Sequence, residues 1–203
     1  MDDKFEILTN PGFSYWEEQL ANTYKYEGWV HSIHEYNMWK AAFGDKFNHF
    51  VVVDKEVDFE KFMEFDRKIT SGLERGDYIK EFFSMQGSYN KVVTSSDDEI
   101  FGYCNIRECI DNYLIIGPFY AQNSLAASTV LRAVLESIPN LKNFEILKAL
   151  APSNNTDAIK LFETLSTGKF KIGAKNLIQF TSHLMKVTDE KVYSVMDITI
   201  SYC

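Results

Sequence analysis

The sequence predicts a mixed α/β domain: one twisted mixed sheet of six or seven strands, helices on both faces, and a helical insert. Three observations predict it. Short β-branched and aromatic runs such as His49–Asp54, Tyr113–Tyr120 and Phe144–Leu150 read as strands. Segments with apolar residues at helical spacing lie between them. Strands and helices alternate through the middle of the chain, but two strands in succession close it. A purely parallel, doubly wound sheet therefore does not fit. The order is β-α-α-β-insert-β-β-α-β-α-β-β, and all 203 residues are expected in one domain.

Phe5–Leu8 opens the chain as a strand, closed by the turn signal Asn10-Pro11-Gly12. Ser14 can cap a helix, with Glu17 at capping-box spacing. Trp16, Leu20 and Tyr24 share one face of that helix, and Gly28 breaks it. A second helix carries Ile33, Tyr36, Trp39 and Phe43 and ends at Gly44. After the His49–Asp54 strand, residues 57–90 read as the insert, expected to cover one side of a cleft. Its apolar stripe is Phe59, Phe62, Ile69 and Leu73, with Gly72 and Gly76 as breakers and a short helix over Tyr78–Phe83. Lys91–Ile106 reads as a hairpin with Ser95–Asp98 at its tip, and Tyr113–Tyr120 as the next strand. That strand is expected to splay from Phe144–Leu150 and open the cleft. Between the two, Ala127, Val130, Leu131, Val134, Leu135 and Ile138 form a helical face that stops at Pro139-Asn140. A further helix turns Ala158, Leu161, Phe162 and Leu165 inward. Phe170–Leu184 and Val192–Ile200 close the chain as strands.

Hydrophobic residues make up 45% of the chain and aromatics 15%, enough to build a core and to argue against wholesale disorder. A formal net charge of −8 makes the chain a poor partner for nucleic acid or an anionic membrane. Its three cysteines are an odd, sparse set, so no disulfide framework is expected, and Cys104 and Cys109 lack the second pair that zinc would need. The opening MDDKFEILTN has no apolar secretory core, and no apolar run approaches the roughly 18–20 residues that cross a bilayer. These features read as a reduced, cytoplasmic protein. No Ser-His-Asp arrangement, P-loop or dinucleotide fingerprint is present. His31 and His34 read as a solvated helix end and His183 as a strand histidine, so no metal site is expected.

Two local motifs point to chemistry. The first is "IIGPFYAQNSLAASTVLRAVLE", Ile115–Glu136: a strand end at Ile116-Gly117-Pro118, a turn from Ala121 to Ala126, then a helix. Free N–H groups at a helix start point outward, and the helix dipole favours an anion there. The second is "PSNNTDAIKLFE", in which Asn155, Ala158, Leu161 and Phe162 recur at fixed spacing. In this order, separated by a strand and followed by two closing strands, the motifs resemble the GNAT acyltransferase superfamily. They are most similar to a divergent branch whose turn, after a G-P-x-Y-A strand end, lacks its glycines. The resemblance covers Phe5 to the C-terminus, with the insert of residues 57–90 outside it.

The resemblance implies acetyl-CoA as co-substrate and acetyl transfer to an amine acceptor. It places the coenzyme pyrophosphate on the turn, so the implied binding set is Ile116, Pro118, Phe119, Ala121, Gln122, Asn123, Ser124, Leu125 and Ala126. Asn154, Asn155 and Phe162 join it from the second motif. The family turn, R-x-x-G-x-G/A, sets its arginine at Ala121 and its glycines at Ser124 and Ala126. One charge and some φ freedom are lost, while main-chain N–H groups and small side chains remain. The family asparagine contacts the pantetheine or caps the helix. Phe162 stands where a family tyrosine protonates the departing thiolate, and phenylalanine has no proton to give.

Acyl transfer also needs something to take the amine proton and help for the oxyanion. The strand before the turn holds no carboxylate, and the nearest are Glu108 and Asp111. Glu108 and Tyr120 are thus the candidate catalytic groups, set against turn solvation for Glu108 and Asp111 and core packing for Tyr103. Three readings stay open at this point: an acyl-CoA-dependent N-acyltransferase, a catalytically inactive GNAT-fold module that binds a ligand or partner, and an oligomerisation domain. The last would use Phe59, Phe62, Phe65, Phe82 and Phe83 as a homodimer surface.

Overall fold

The computed structural model describes residues 57–166, 170–173 and 187–195, together with two strands earlier in the chain. The strands are β1 (Ala21–Lys25), β2 (Val51–Val53), β3 (Ser88–Thr94), β4 (Ile100–Cys109), β5 (Tyr113–Ala121), β6 (Ile146–Leu150), β7 (Lys171–Ile172) and β8 (Val192–Ser194). The described helices are α1 (Phe59–Ile69), α2 (Gly76–Ser84), α3 (Ser124–Ser137) and α4 (Thr156–Leu165). The sheet order is β2-β3-β4-β5-β6-β1-β7, and β8 pairs with β5 off that path. Only the β5–β6 pair is parallel among the described pairings, as a strand–helix–strand crossover through α3 requires.

Local sequence explains the elements. Asp58 caps α1 by accepting from the Glu60 and Lys61 N–H groups, and Arg67 and Lys68 sit in its last turn, where the helix dipole favours cations. Ser95 holds the β3–β4 tip by accepting from the N–H groups of Asp97 and Glu99. Side-chain alternation along β4 and β5 sends Cys104, Ile106, Leu114, Ile116 and Phe119 to the face that carries α3 and α4. Tyr103 and Tyr120 go to the other face, against Phe62, Phe65 and Ile69 of α1 and Ile79 and Phe82 of α2. Helix α3 buries Val130, Leu131, Val134 and Leu135. Each of these burials contributes about 1.5–3 kcal/mol, and truncating one to Ala would cost about 2–5 kcal/mol for the larger side chains.

The structure corrects two expectations. Ala21–Lys25, expected to continue the helix of Trp16, Leu20 and Tyr24, is a strand antiparallel to β6, with Tyr24 opposite Leu147. Pairing with a sheet edge overrides local helical spacing there, and among the described residues the sheet has eight strands. The helices of the insert span Phe59–Ser84, and β3 begins at Ser88, inside the expected boundary. The strand at Phe5–Leu8, the helix of Ile33–Phe43, the three histidines singled out and Cys203 lie outside the described residues.

Candidate functional site

Strand β5 forks the sheet. It pairs with β6 only over Tyr113–Ile116. Ile116 faces Ile106 and Phe119 faces Cys104, so three steps on β5 match two on β4 and a bulge falls at Gly117-Pro118. Gly117 has φ 153°, a backbone state that favours glycine, the Gly117-Pro118 peptide is cis, and Pro118 has no N–H for a ladder. Beyond the bulge β5 leaves β6, as the expected splay requires. The chain itself then enters the fork, which corrects the expectation of an open cleft at that level. Strand β8 pairs with Phe119 and Tyr120. The Ser194 hydroxyl donates to the Ile116 carbonyl at 2.7 Å and accepts from the Leu150 N–H at 2.9 Å. The Val195 N–H donates to the Leu150 carbonyl at 2.9 Å.

The turn from Ala121 to Ala126 follows directly. The Gln122 N–H is taken by the Phe101 carbonyl. Asn123, extended at φ −159° and ψ 170°, caps α3 by accepting from the Ala126 N–H at 2.9 Å. The Ser124 and Leu125 N–H groups meet no acceptor among the described residues, and Ser124 is exposed. No residue of the turn has a positive φ, so the missing glycines are not needed for its shape. Ala121 and Ala126 are fully buried. Their side chains belong to the core, and the Ala126 N–H already has a partner. An anion could therefore be held only by Ser124 and Leu125, a narrower cradle than the whole expected turn.

Asn155 is the N-cap of α4. Its Oδ1 accepts from the Asp157 and Ala158 N–H groups at 3.1 and 3.0 Å. Its Nδ2 donates to the carbonyls of Asp189, Glu190 and Val192 at 3.1, 3.2 and 2.8 Å. Asn154 donates to Asp189 Oδ2 at 3.0 Å. Both asparagines thus hold the strap of residues 189–192 that leads into the fork. Phe162 is fully buried in the core beneath α3 and α4.

The two candidate catalytic groups are not brought together. Ala121 faces Gly102 across the β4–β5 ladder, whereas Glu108 faces Leu114. Glu108 is six residues from Gly102 along β4, about 20 Å at the usual strand rise. Its carboxylate accepts from the Tyr89 hydroxyl at 2.6 Å, far from the turn. Asp111 is an exposed turn residue with φ 66°. Tyr120 is fully buried on the α1–α2 face, its ring 5.3 Å from that of Tyr103 and 5.2 Å from the Arg75 guanidinium.

A buried polar cluster under the helices went unread in the sequence. Arg75 donates to Asp66 through Nε at 2.8 Å and Nη2 at 2.6 Å, and the Tyr103 hydroxyl also donates to Asp66. Burial alone would push the Arg75 guanidinium down, but Tyr120, Tyr103 and Asp66 outweigh it and hold it well above its ordinary value. Burial, then the Asp66 charge, pushes the Tyr103 phenol well up. Breaking such a buried pair by removing one partner costs about 3–5 kcal/mol. Only the residue types at 66, 75 and 103 are visible in sequence, because their meeting depends on tertiary packing.

A bulged, forked strand thus feeds a capped helix within a mixed α/β fold. The sequence profile of the acetyltransferase (GNAT) domain family matches residues 62–186, more than half of the chain, and the protein belongs to that family. The matched span starts inside α1, so most of the two-helix segment lies within the family match, where the sequence reading had set it outside. Among solved structures, the fold is similar to that of a Pyrococcus horikoshii protein assigned as an acetyltransferase, with TM-score 0.54 and 13% identity. The match covers 90% of this chain and 52% of that one, so this chain spans about half the length of that protein. A GCN5-related N-acetyltransferase from Kribbella flavida matches with TM-score 0.44 and 20% identity, over 58% of this chain and 82% of that one. No curated protein matches the sequence. Family membership supports acyl transfer in general. No described helix is long and apolar enough to cross a membrane.

Proposed function

We propose that the protein is an acyl-CoA-dependent N-acyltransferase that moves an acetyl group from acetyl-CoA to an amine. The observation that carries this reading is the start of α3, where the Ser124 and Leu125 N–H groups stand without acceptors at the end of the forked strand. The N-terminus of a 14-residue helix adds its dipole to those donors, and a pyrophosphate suits both. Asn123 keeps the turn in place through its cap. Glu108 is too far from the turn to serve as its base, so the amine proton passes to solvent or to a group outside the described residues.

One observation favours a second reading, a family fold that binds without catalysing. Ser194 takes up both backbone groups that face each other in the fork. A thermal shift with acetyl-CoA separates the readings from a pure scaffold. Ligand at about 100 times its dissociation constant stabilises by about 2.7 kcal/mol, so no shift at millimolar acetyl-CoA would refute coenzyme use. A shift without release of free thiol in the presence of amines would favour the binding module.

A further inference from the structure

We propose that strand β8 is a built-in plug, which the thiol arm of a coenzyme A thioester displaces from the fork when it binds. This rests on the acyl-transfer reading above, and it makes the arrangement seen here a closed, self-inhibited state. Strand β4 takes one edge of β5, so β8 lies on the other, the edge that β6 leaves after Ile116. The β8 pairing is short and irregular. Ser194 stands opposite Phe119 and Val192 opposite Tyr120, so two steps on β8 match one on β5. Ser194 and Val195 close the fork through Ile116 and Leu150.

The arm and the plug compete for the same backbone groups. The arm is an extended chain with amide groups, and an amide taken out of water without a partner is costly. Extended ligands meet that need by pairing with an open strand edge. Strand β5 runs from Phe119 and Tyr120 into the start of α3, with Ser124 four residues after Tyr120. A ligand whose pyrophosphate sits on the Ser124 and Leu125 N–H groups therefore has the fork edge of β5 as its adjoining strand edge. Strand β8 holds that edge in the closed state.

The plug is built to let go. Val192, Tyr193 and Val195 are buried, but burying them orders residues 187–195, and the entropy of that ordering offsets the gain. The Tyr193 hydroxyl is buried with no hydrogen-bond partner among the described residues. That raises the free energy of the closed state, and release returns the hydroxyl to water. The strap is also anchored outside the fork. The Thr188 N–H donates to the Ile69 carbonyl at 3.2 Å, Asn154 donates to the Asp189 carboxylate, and Asn155 donates to the Asp189 and Glu190 carbonyls. Val192–Val195 can thus leave the fork while residues 188–190 stay tethered.

Ser194→Ala removes the hydroxyl that bridges Ile116 and Leu150, and so weakens the closed state. Calorimetry compares wild type and variant with coenzyme A and with adenosine diphosphate, which carries a pyrophosphate and no arm. The variant is expected to bind coenzyme A about fivefold or more tightly than wild type, and adenosine diphosphate equally. Amide hydrogen exchange on the wild type needs no variant. Saturating coenzyme A is expected to speed exchange across Val192–Val195, and adenosine diphosphate to leave it unchanged. Equal coenzyme A affinity in a folded variant, or unchanged or slower exchange there in the saturated wild type, overturns the plug and leaves the acyl-transfer reading standing. If the variant does not fold, the wild-type exchange decides. An equal gain for adenosine diphosphate moves the effect from the fork to the helix start and also overturns the plug. No heat with coenzyme A in either protein contradicts the acyl-transfer reading, and the plug goes with it.

Discussion

Ser124→Pro would remove one N–H from the start of α3 and little else. Ser124 is the first residue of the helix, where the fixed φ of proline fits and its missing N–H breaks no intrahelical bond. Asn123 before it is already extended, the conformation that a residue preceding proline prefers. The Ser124 carbonyl would still accept from the Ser128 hydroxyl, and the Asn123 cap on the Ala126 N–H would be kept. Stability should change by no more than about 0.5 kcal/mol, as for surface substitutions generally. Affinity should change far more. A hydrogen bond to a charged group contributes about 1.5–3 kcal/mol, and about 1.4 kcal/mol is a tenfold change in affinity. The variant should therefore bind coenzyme A roughly 10- to 150-fold more weakly. Titration calorimetry measures this, with Ser124→Ala, which keeps the N–H, as the control. A folded Ser124→Pro protein that binds as tightly as wild type would refute the cradle.

Gly102→Ala should destabilise the fold by about 1–3 kcal/mol in urea unfolding, because the new Cβ would lie 2.9 Å from the Tyr120 carbonyl and 3.0 Å from the Ala121 Cβ. An equal midpoint would mean that the two strands can part without strain. Asn155→Asp keeps an acceptor for the α4 cap but loses three donations to residues 189–192. It should lose at least about 2 kcal/mol, with faster amide exchange across Asp189–Ser194, and unchanged exchange there would contradict the strap. The hydrogen bond from Tyr89 to Glu108, then burial and the carboxylate charge, pushes the phenol up to about 12. The stability this contact contributes is present below the ordinary tyrosine value of about 10 and is lost as pH rises through about 12. Glu108→Gln should bring the Tyr89 titration, followed by ultraviolet absorbance, back toward the ordinary value.

Elements held by local patterns were legible in the sequence. The α3 face from Ala127 to Ile138, the hairpin tip at Ser95–Asp98 and the Asn155 cap each depend on neighbours a few residues away. The bulge at Gly117-Pro118 was legible as a strand end but not as a fork, because the fork needs the register of β4 and the short reach of β6. Ala21–Lys25 was misread because Leu20 and Tyr24 are spaced as a helix repeats, while its partner is the distant strand Ile146–Leu150. Glu108 was chosen for nearness in sequence to β5, and the antiparallel ladder carries it to the opposite end. Ser194 gave no signal, since a serine on a late strand is ordinary until the strand is seen crossing the fork. Asp66 and Arg75 lie nine residues apart across a helix end, and only their packing on Tyr103 makes them a buried pair.

In the proposed function, the start of α3 holds the pyrophosphate of a coenzyme A thioester. Calorimetric titration of the wild-type protein with coenzyme A and, separately, with pantetheine, which keeps the thiol arm and lacks the pyrophosphate, tests it most directly. Saturable one-to-one binding of coenzyme A is expected, at least about tenfold tighter than pantetheine, since each charged hydrogen bond contributes about 1.5–3 kcal/mol. Equal affinities would move the binding away from the helix start. No heat with either ligand at millimolar concentration would mean that the turn from Ala121 to Ala126 only connects a strand to a helix.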